Sequence, residues 1–170
     1  MKKLFLFTLI TGLFLSLNSS AQQDKSKRPS PPAKVSQTLG SGAEISIDYS
    51  RPSLKGRSMS ALAPVGKVWR TGANEATVFE TNHDVMIEGN KLPAGKYSMY
   101  TIPGDKEWTI IFNKTWKQWG TVYKEAEDAL RVNVKAGKSS ENIEMLTFEI
   151  AKNGKVSLIW ADTQIDFKVR

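Results

Sequence analysis

The sequence contains no cysteine and a single histidine, His83, among its 170 residues. Without cysteine the folded chain cannot form a disulfide bond, so packing and hydrogen bonds must stabilise it. A closed zinc site takes several cysteine or histidine ligands, which one histidine between Asn82 and Asp84 cannot supply. We therefore expect no disulfide, no metal site and no cofactor.

Signatures of catalysis are also scarce. No nucleophile-elbow pattern accompanies the histidine, and the glycine-rich "GSGAE" at Gly40–Glu44 lacks the strand-to-helix context of a phosphate-binding loop. Paired carboxylates are the one pattern left, because Glu75, Asp48 and Glu80 could converge in the fold and two acids suffice for glycoside hydrolysis. No residue is assigned a catalytic role. We expect a non-catalytic protein, with a hydrolase as the alternative.

The chain has only one long apolar run, which extends from Leu4 to Leu17 behind two lysines and ends near the small residues Ser19 and Ala21. This arrangement predicts a cleaved secretory signal peptide over residues 1–21. The run is shorter than the roughly 20 residues that a membrane-spanning helix needs. We expect an exported protein, periplasmic or extracellular, with no stable membrane span.

The charges are mixed along the chain, with 24 lysines and arginines against 17 acids. The only tight basic run is "KSKR" at Lys25–Arg28, which predicts no nucleic-acid partner. It lies within "QQDKSKRPSPPA", whose three prolines and lack of apolar periodicity predict a flexible tether over residues 22–33. One folded domain then follows over residues 34–170.

Short alternating segments with turn signals between them fill that domain. In "EISIDY", for example, Ile45, Ile47 and Tyr49 point one way and the polar residues the other. Asn153-Gly154 predicts a hairpin with a type I′ turn, and Ala161-Asp162 a turn before the last strand. Only Tyr123–Leu130 has a helical pattern. The spacing predicts an all-β domain, a single antiparallel β-sandwich with jelly-roll or immunoglobulin-like packing.

The stretch "KVWRTGANEATVFET" places four site candidates around one bend: Trp69, Arg70, Asn74 and Glu75. Strands on both sides would make the bend a rigid mount for polar side chains, which is what a binding site needs. Alternatively, Arg70 and Glu75 pair with neighbouring loops while Trp69 fills the core. The sequence leaves both interpretations open.

Two further groups are candidates for ligand binding. Arg51 and Arg57, in "RPSLKGR", could join Arg70 in clamping a carboxylate or phosphate, or could instead tie loops together. Trp116 and Trp119, in "KTWKQWG", could form a stacking platform for sugar rings, or could cap an open end of the core. The partner would be a glycan or a small anionic ligand; the oligomeric state is left open.

The segments "SQTLGSGAEISIDYSRPSLKGR", "VGKVWRTGANEATVFET", "LPAGKYSMYTIPGDKEWTIIFNK", "QWG" and "LRVNV" closely resemble the DUF2911 family of exported bacterial proteins. The resemblance runs from about Ser30 to the C-terminus, and "VWRTGANEAT" is its most specific part. It implies a bacterial envelope or secreted setting and, because the family's function is unknown, supplies no catalytic residues. We therefore predict an exported binding or envelope-associated module, with a structural or protein-interaction role as a further alternative.

Overall fold

The computed structural model describes residues 24–170. The predicted signal peptide, residues 1–21, and the first two residues of the predicted tether lie outside this range. The strands, in chain order, are β1 Pro32–Thr38, β2 Glu44–Ser50, β3 Thr77–Thr81, β4 Val85–Ile87, β5 Asn90–Leu92, β6 Gly95–Ile102, β7 Glu107–Asn113, β8 Asp128–Ile150 and β9 Lys155–Lys168.

Within residues 24–170, helical structure is confined to three short pieces: the α-helix α1 at Met59–Leu62 and 3₁₀ turns at Lys25–Lys27 and Glu125–Glu127. The last of these lies within the segment whose sequence has a helical pattern, and it leads directly into β8. Within the described residues, no helix has the length and apolar character needed to cross a membrane.

Seven strands form one antiparallel sheet in the order β1-β2-β3-β6-β7-β8-β9, and β4 pairs with β5 in a separate two-stranded hairpin. The sheet curls back on itself. Leu54 N–H donates to the Glu144 carbonyl and Leu146 N–H to the Pro52 carbonyl, both at 3.0 Å, which joins the chain after β2 to β8. The all-β prediction is confirmed, whereas the division into two packed sheets of a sandwich is not.

The length of β8 and β9 explains this architecture. The first half of β8 pairs with β7 and the second half with β9, with register shifts between Lys138 and Ile143 and between Ile143 and Thr147. Bulges bend a strand and increase its local twist. One long, bent strand can therefore pack against two sides of the core. Within β9, Ala161 has a φ of 54°. The turn predicted at Ala161-Asp162 is therefore a bulge inside a continuous strand.

The hairpin predicted at Asn153-Gly154 is present, with a different turn. Gly154 has a φ of 82°, while Asn153 is not among the residues with positive φ. Gly154 N–H donates to the Ala151 carbonyl at 2.8 Å, as in a type I turn followed by a left-handed glycine. The Asn153 side chain also accepts the N–H of Lys155 at 3.0 Å, which such a turn accommodates.

The inward faces of the strands form one hydrophobic core. Ile45, Ile47 and Tyr49 are all buried, as their alternation predicts. Tyr49 packs edge-on against Phe148 at 4.9 Å, and its hydroxyl accepts the N–H of Phe148 at 3.1 Å. Full burial of each large apolar side chain contributes about 1.5–3 kcal/mol, so this core stabilises the fold without any disulfide.

Candidate functional site

The bend that follows Trp69 is held rigidly against β6. Trp69 and Thr101 exchange two backbone hydrogen bonds, of 2.7 and 2.9 Å. Thr71 and Asn74 both have left-handed backbones, with φ of 54° and 59°. That conformation is a genuine outlier for a β-branched residue. The Thr71 hydroxyl bonds to the Trp69 carbonyl and to the Thr101 hydroxyl, at 3.2 and 3.1 Å, so buried contacts maintain the strain.

Backbone strain of this kind is frequent at functional sites, and a cleft opens beside the bend. Its volume is about 400 Å³, within the range of small-molecule sites. Its walls are mainly aromatic and aliphatic, and one arginine is the only charged group among them. The lining comprises Pro52, Leu62, Pro64, Val68, Trp69, Arg70, Gly72, Tyr100, Gly120, Thr121, Tyr123 and Trp160.

Arg70 is the polar centre of the cleft. It is partly buried, and its Nε donates to the Gly72 carbonyl at 3.2 Å. Within residues 24–170 no carboxylate lies within ion-pairing distance of its guanidinium. A Cβ at Gly120 would lie 2.8 Å from the Cδ of Arg70. The absence of a side chain at Gly120 therefore provides the space that the Arg70 side chain occupies. The guanidinium is thus positioned and keeps donors for a ligand.

Two tyrosines of the cleft wall have their hydroxyls engaged by the protein. Tyr100 donates to the Val122 carbonyl at 2.7 Å and accepts from Gln118 at 3.0 Å. Tyr123 donates to Asp128 at 2.7 Å and accepts from Arg131 at 2.7 Å. Burial, together with the hydrogen bond to Asp128, raises the pKa of Tyr123 to about 12. Both rings are therefore fixed, neutral parts of the wall.

Trp69 belongs to the core and to the cleft at once. Only 7% of it is exposed. Its ring stacks on Trp160 with centroids 5.4 Å apart and planes 10° from parallel, and it meets Trp108 edge-on at 6.4 Å. Trp160 also lines the cleft. This aromatic cluster anchors the bend, so the interpretation of Trp69 as a core residue and its interpretation as an apolar wall are compatible.

Asn74 and Glu75 do not line the cleft and instead contact the N-terminal segment. The Asn74 side-chain amide donates to the Ser30 carbonyl at 3.1 Å. Glu75 forms a salt bridge with Lys25, at 3.0 Å, and Nη1 of Arg28 donates to both of its carboxylate oxygens, at 2.9 and 3.1 Å. The segment predicted to be a flexible tether is thus in contact with the domain at this bend, and β1 begins at Pro32, before the predicted domain boundary.

Of the three arginines that could form a clamp or tie loops together, Arg51 and Arg57 bond to the protein away from the cleft. Arg51 donates to the Leu146 carbonyl at 2.9 Å and to the Thr147 hydroxyl at 2.7 Å. Arg57 donates to two carbonyls of its own turn, at 2.9 and 3.0 Å. Neither lines the cleft, which leaves Arg70 as its only arginine.

The two candidate tryptophans lie outside the cleft on an exposed loop. Trp116 is 39% exposed and Trp119 is 49% exposed. The ammonium group of Lys96 lies 5.1 Å from the centroid of the Trp116 ring. Gly120, Thr121 and Tyr123 of the same loop do reach the cleft, so the loop contributes to both surfaces.

Sequence reasoning missed Tyr100, Gly120, Tyr123 and Trp160 as cleft residues. They are 30 or more positions from Arg70 along the chain. No local sequence pattern indicates that residues so far apart in the chain share one cleft. The backbone strain at Thr71 could not be predicted either, because no sequence signal indicates that a threonine adopts a left-handed backbone.

A larger hollow, of about 560 Å³, lies over the outer face of β1, β2 and β3. Its lining is mostly polar, and its lysine, Lys34, already pairs with Asp48 at 3.0 Å. It offers no aromatic wall and no uncommitted cation, so the smaller cleft is the better candidate. Within the part of the chain that is described, no group of three or more His, Cys, Asp or Glu side chains could hold a metal ion.

The pKa of Glu75 leads to a testable prediction about the pH dependence of stability. Burial raises its pKa, but hydrogen bonds from its own backbone N–H, Lys25 and Arg28 outweigh that effect and lower the pKa to about 2. A depressed pKa stabilises the fold above the ordinary value of 4.5, and that stabilisation is lost as pH falls from 4.5 towards 2. Since the side chain is 40% exposed, solvent screening limits the effect to about 1 kcal/mol.

We therefore expect Glu75→Gln to lower the free energy of unfolding by up to about 1 kcal/mol at neutral pH. The difference from the unsubstituted protein should shrink as the pH falls through 4.5 towards 2. Urea denaturation at a series of pH values measures it. Glu44→Gln is the control, because Glu44 has no ion pair within residues 24–170. A constant difference across that pH range would contradict the assignment.

The fold and the cleft define an all-β protein built on one curled antiparallel sheet, with an aromatic-walled, ligand-sized cleft beside a strained bend. The chain belongs to the family described as "Protein of unknown function (DUF2911)", whose model matches residues 30–169. The match covers the bend, the cleft and all described strands, and it confirms the resemblance seen in the sequence. Neither a curated protein nor a solved structure matches the chain.

Proposed function

We propose that this protein is an exported, non-catalytic binding module that holds a small carboxylate with an apolar body in the cleft beside Arg70. The observation that carries the proposal is the partly buried guanidinium of Arg70, which is positioned by the Gly72 carbonyl at 3.2 Å and has no carboxylate partner within residues 24–170. A guanidinium presents paired donors that match a carboxylate bidentately.

The walls of the cleft define the rest of the ligand. Tyr123 is the most accessible aromatic ring of the lining, Trp69 is 7% exposed, and Tyr100 and Trp160, each 1% exposed, lie behind the cleft surface. Both tyrosine hydroxyls are already bonded to the protein. An uncharged part of the ligand would therefore contact rings rather than hydrogen-bonding groups. A volume of about 400 Å³ admits a small molecule, which supports a low-molecular-weight carboxylate.

Export is part of the proposal and is supported by the sequence of residues 1–21, with its two lysines, short apolar run and small residues before Gln22. Envelope association fits the same setting. A periplasmic or extracellular module would meet small ligands from outside the cytoplasm.

The pKa and the ion pairs of Glu75 argue against the hydrolase alternative. A glycosidase needs one carboxyl group with a raised pKa to protonate the leaving group. The pKa of Glu75 is instead lowered to about 2, which does not suit the role of that acid, and its carboxylate is held by Lys25 and Arg28. Glu75 also lies outside the lining of the cleft.

Arg70→Gln tests the proposal. We expect small carboxylates such as phenylpropionate or hexanoate to bind the unsubstituted protein, and Arg70→Gln to weaken that binding about 10- to 100-fold, because a hydrogen bond to a charged group is worth about 1.5–3 kcal/mol. Titration calorimetry measures the affinity, and fluorescence of the tryptophans that line the cleft provides a second readout. Each carboxylate is compared with its amide, which has the same shape without the charge.

Arg57→Gln is the matched control. It removes the same charge from a guanidinium that bonds only to carbonyls of its own turn, so the affinity should not change. If amides bind as well as carboxylates, or if Arg70→Gln and Arg57→Gln behave alike, the proposed role of Arg70 is wrong. Denaturation midpoints of both variants show whether either has lost its fold.

A further inference from the structure

The loop of residues 114–124, "KTWKQWGTVYK", concentrates exposed apolar surface; we refer to it as the tryptophan loop. Trp116, Trp119 and Val122 are 39%, 49% and 46% exposed. Within residues 24–170, these are three of the six exposed large hydrophobic residues, and they share one loop. Single apolar residues scattered over a surface are ordinary, whereas several exposed apolar residues on one loop are a candidate interaction site.

The backbone of this loop is held in place. Gly120 N–H donates to the Asn74 carbonyl at 2.9 Å, and Ala76 N–H to the Gln118 carbonyl at 3.1 Å. Val122 N–H donates to the Trp119 carbonyl at 2.9 Å, so these two exposed residues lie at the ends of one turn. Because the loop is ordered before it meets a partner, docking would cost little conformational entropy.

The charge on the loop is of one sign. Lys114, Lys117 and Lys124 are exposed, and residues 114–124 include no acid. The ammonium group of Lys96 lies over the Trp116 ring at 5.1 Å, but it pairs with Glu80 and so adds no net charge. The surface therefore combines apolar side chains with a local excess of positive charge.

Neighbouring carboxylates are already engaged by other cations. Glu80 pairs with Lys96 at 3.2 Å, and Glu125 pairs with Arg131 at 3.1 Å. Glu75, whose backbone bridges to Trp119, pairs with two cations of the N-terminal segment. Arg131 also pairs with Asp128, at 2.8 Å. Taken together, the three lysines of the loop and Arg131 outnumber Glu125, Glu127 and Asp128 by one charge, so a small excess of positive charge remains.

We infer that the tryptophan loop docks the protein on the surface of a bilayer that contains anionic lipids. Tryptophan partitions to the boundary between headgroups and acyl chains, and lysines beside it are attracted by anionic headgroups. An aliphatic side chain such as Val122 gains from entering that boundary but offers no face on which a sugar ring can stack. The ammonium group of Lys96 also covers one face of the Trp116 ring, which reduces the ring surface available for stacking. The inference does not rest on the proposed cleft ligand.

Sedimentation with vesicles tests the inference. The chain from Gln22 onward contains the whole described fold, and its use removes any contribution of residues 1–21 to lipid binding. We expect it to bind vesicles of equal parts phosphatidylglycerol and phosphatidylcholine at least about tenfold more strongly than pure phosphatidylcholine vesicles, and to lose that preference as salt is raised. Tryptophan fluorescence should shift to the blue on binding.

The double variant Trp119→Ser/Val122→Ser should lower binding to the anionic vesicles about tenfold or more, and Lys117→Glu should lower it several-fold. The matched controls are Val65→Ser and Met86→Ser, which remove side chains that are 54% and 40% exposed elsewhere, and Lys152→Glu at an exposed hairpin tip. All three controls should bind as the unsubstituted protein does, and circular dichroism should show every variant folded.

Failure of the unsubstituted protein to bind anionic vesicles at low salt overturns the inference. Equal losses in the loop variants and the controls overturn it as well. Binding to a soluble acidic polysaccharide through the same residues, without vesicle binding, would identify the loop as a glycan site and equally reject a bilayer partner. Since the cleft titrations use Arg70, their outcome is separate from these results.

Discussion

Replacement of Gly154 by alanine should lower the free energy of unfolding by about 3 kcal/mol or more, combining the strain of a left-handed residue with overpacking. Gly154 has a φ of 82°, and a Cβ built on it would lie 2.0 Å from the carbonyl oxygen of Val169. That oxygen belongs to backbone, and Val169 N–H donates to the Gly154 carbonyl at 2.8 Å. The clash therefore cannot be relieved by rotating a side chain, and chemical denaturation should show a large fall in the midpoint.

Gly42→Ala separates the two causes. Gly42 has a φ of 87°, similar to that of Gly154, but a Cβ there meets nothing within 4 Å. We expect the backbone strain alone to cost about 1–2 kcal/mol at this position. Equal losses at both glycines would mean that the strand end containing Val169 moves aside without cost, and that the contact does not constrain the hairpin.

Truncation of Trp69 to alanine should destabilise the protein by about 3–5 kcal/mol, as is typical of a large aromatic residue removed from a core. The ring is 7% exposed and stacks on Trp160 at 5.4 Å. Its loss leaves a cavity beside Trp108 and frees the bend that carries Arg70. Denaturation with urea measures the energetic cost, and near-ultraviolet circular dichroism should report the loss of the aromatic stack.

Trp119→Ala is the matched control, since the same side chain is removed from a position that is 49% exposed. We expect a change within about 0.5 kcal/mol, as for most surface substitutions. Should Trp69→Ala prove equally mild, Trp69 would not anchor the bend, and its main role would be that of a cleft wall.

The alternation of apolar and polar residues predicted the strands and their buried faces well. Ile45, Ile47 and Tyr49 are buried because side chains on a strand point alternately to its two faces, which is a purely local property. The hairpin at Asn153-Gly154 was also located correctly. Its turn type was not, since Gly154 alone adopts the left-handed conformation.

Longer-range features of the sheet were beyond local patterns. Two separate alternating pieces, around Val132 and Phe148, belong to the single strand β8. The exposed stretch between them pairs with β9 only irregularly, so its sequence lacks the alternation of a half-buried strand. Curling of one sheet around the core likewise depends on the junction between Leu54 and Glu144, which are 90 positions apart.

In the candidate site, too, local sequence predicted one part of the arrangement and the tertiary structure determined the rest. The sequence alone concentrated Trp69, Arg70, Asn74 and Glu75 on one rigid bend, and this was possible because neighbours in a short bend stay neighbours in space. The tertiary structure then separated them into two groups. Arg70 and Trp69 line a cleft with rings from β6, β9 and the tryptophan loop, while Asn74 and Glu75 hold the segment from Lys25 to Ser30.

By itself the sequence determined the absence of disulfides, the all-β class, the position of the bend and the family. These follow from composition, from period-two alternation and from local motifs, none of which requires knowledge of distant contacts. Only the tertiary structure decided that Arg70, in the cleft, has no carboxylate partner within residues 24–170, whereas Arg51 and Arg57 are bonded to carbonyls elsewhere. Which groups meet a side chain depends on how strands from opposite ends of the chain pair, and that pairing is set by packing of the whole core.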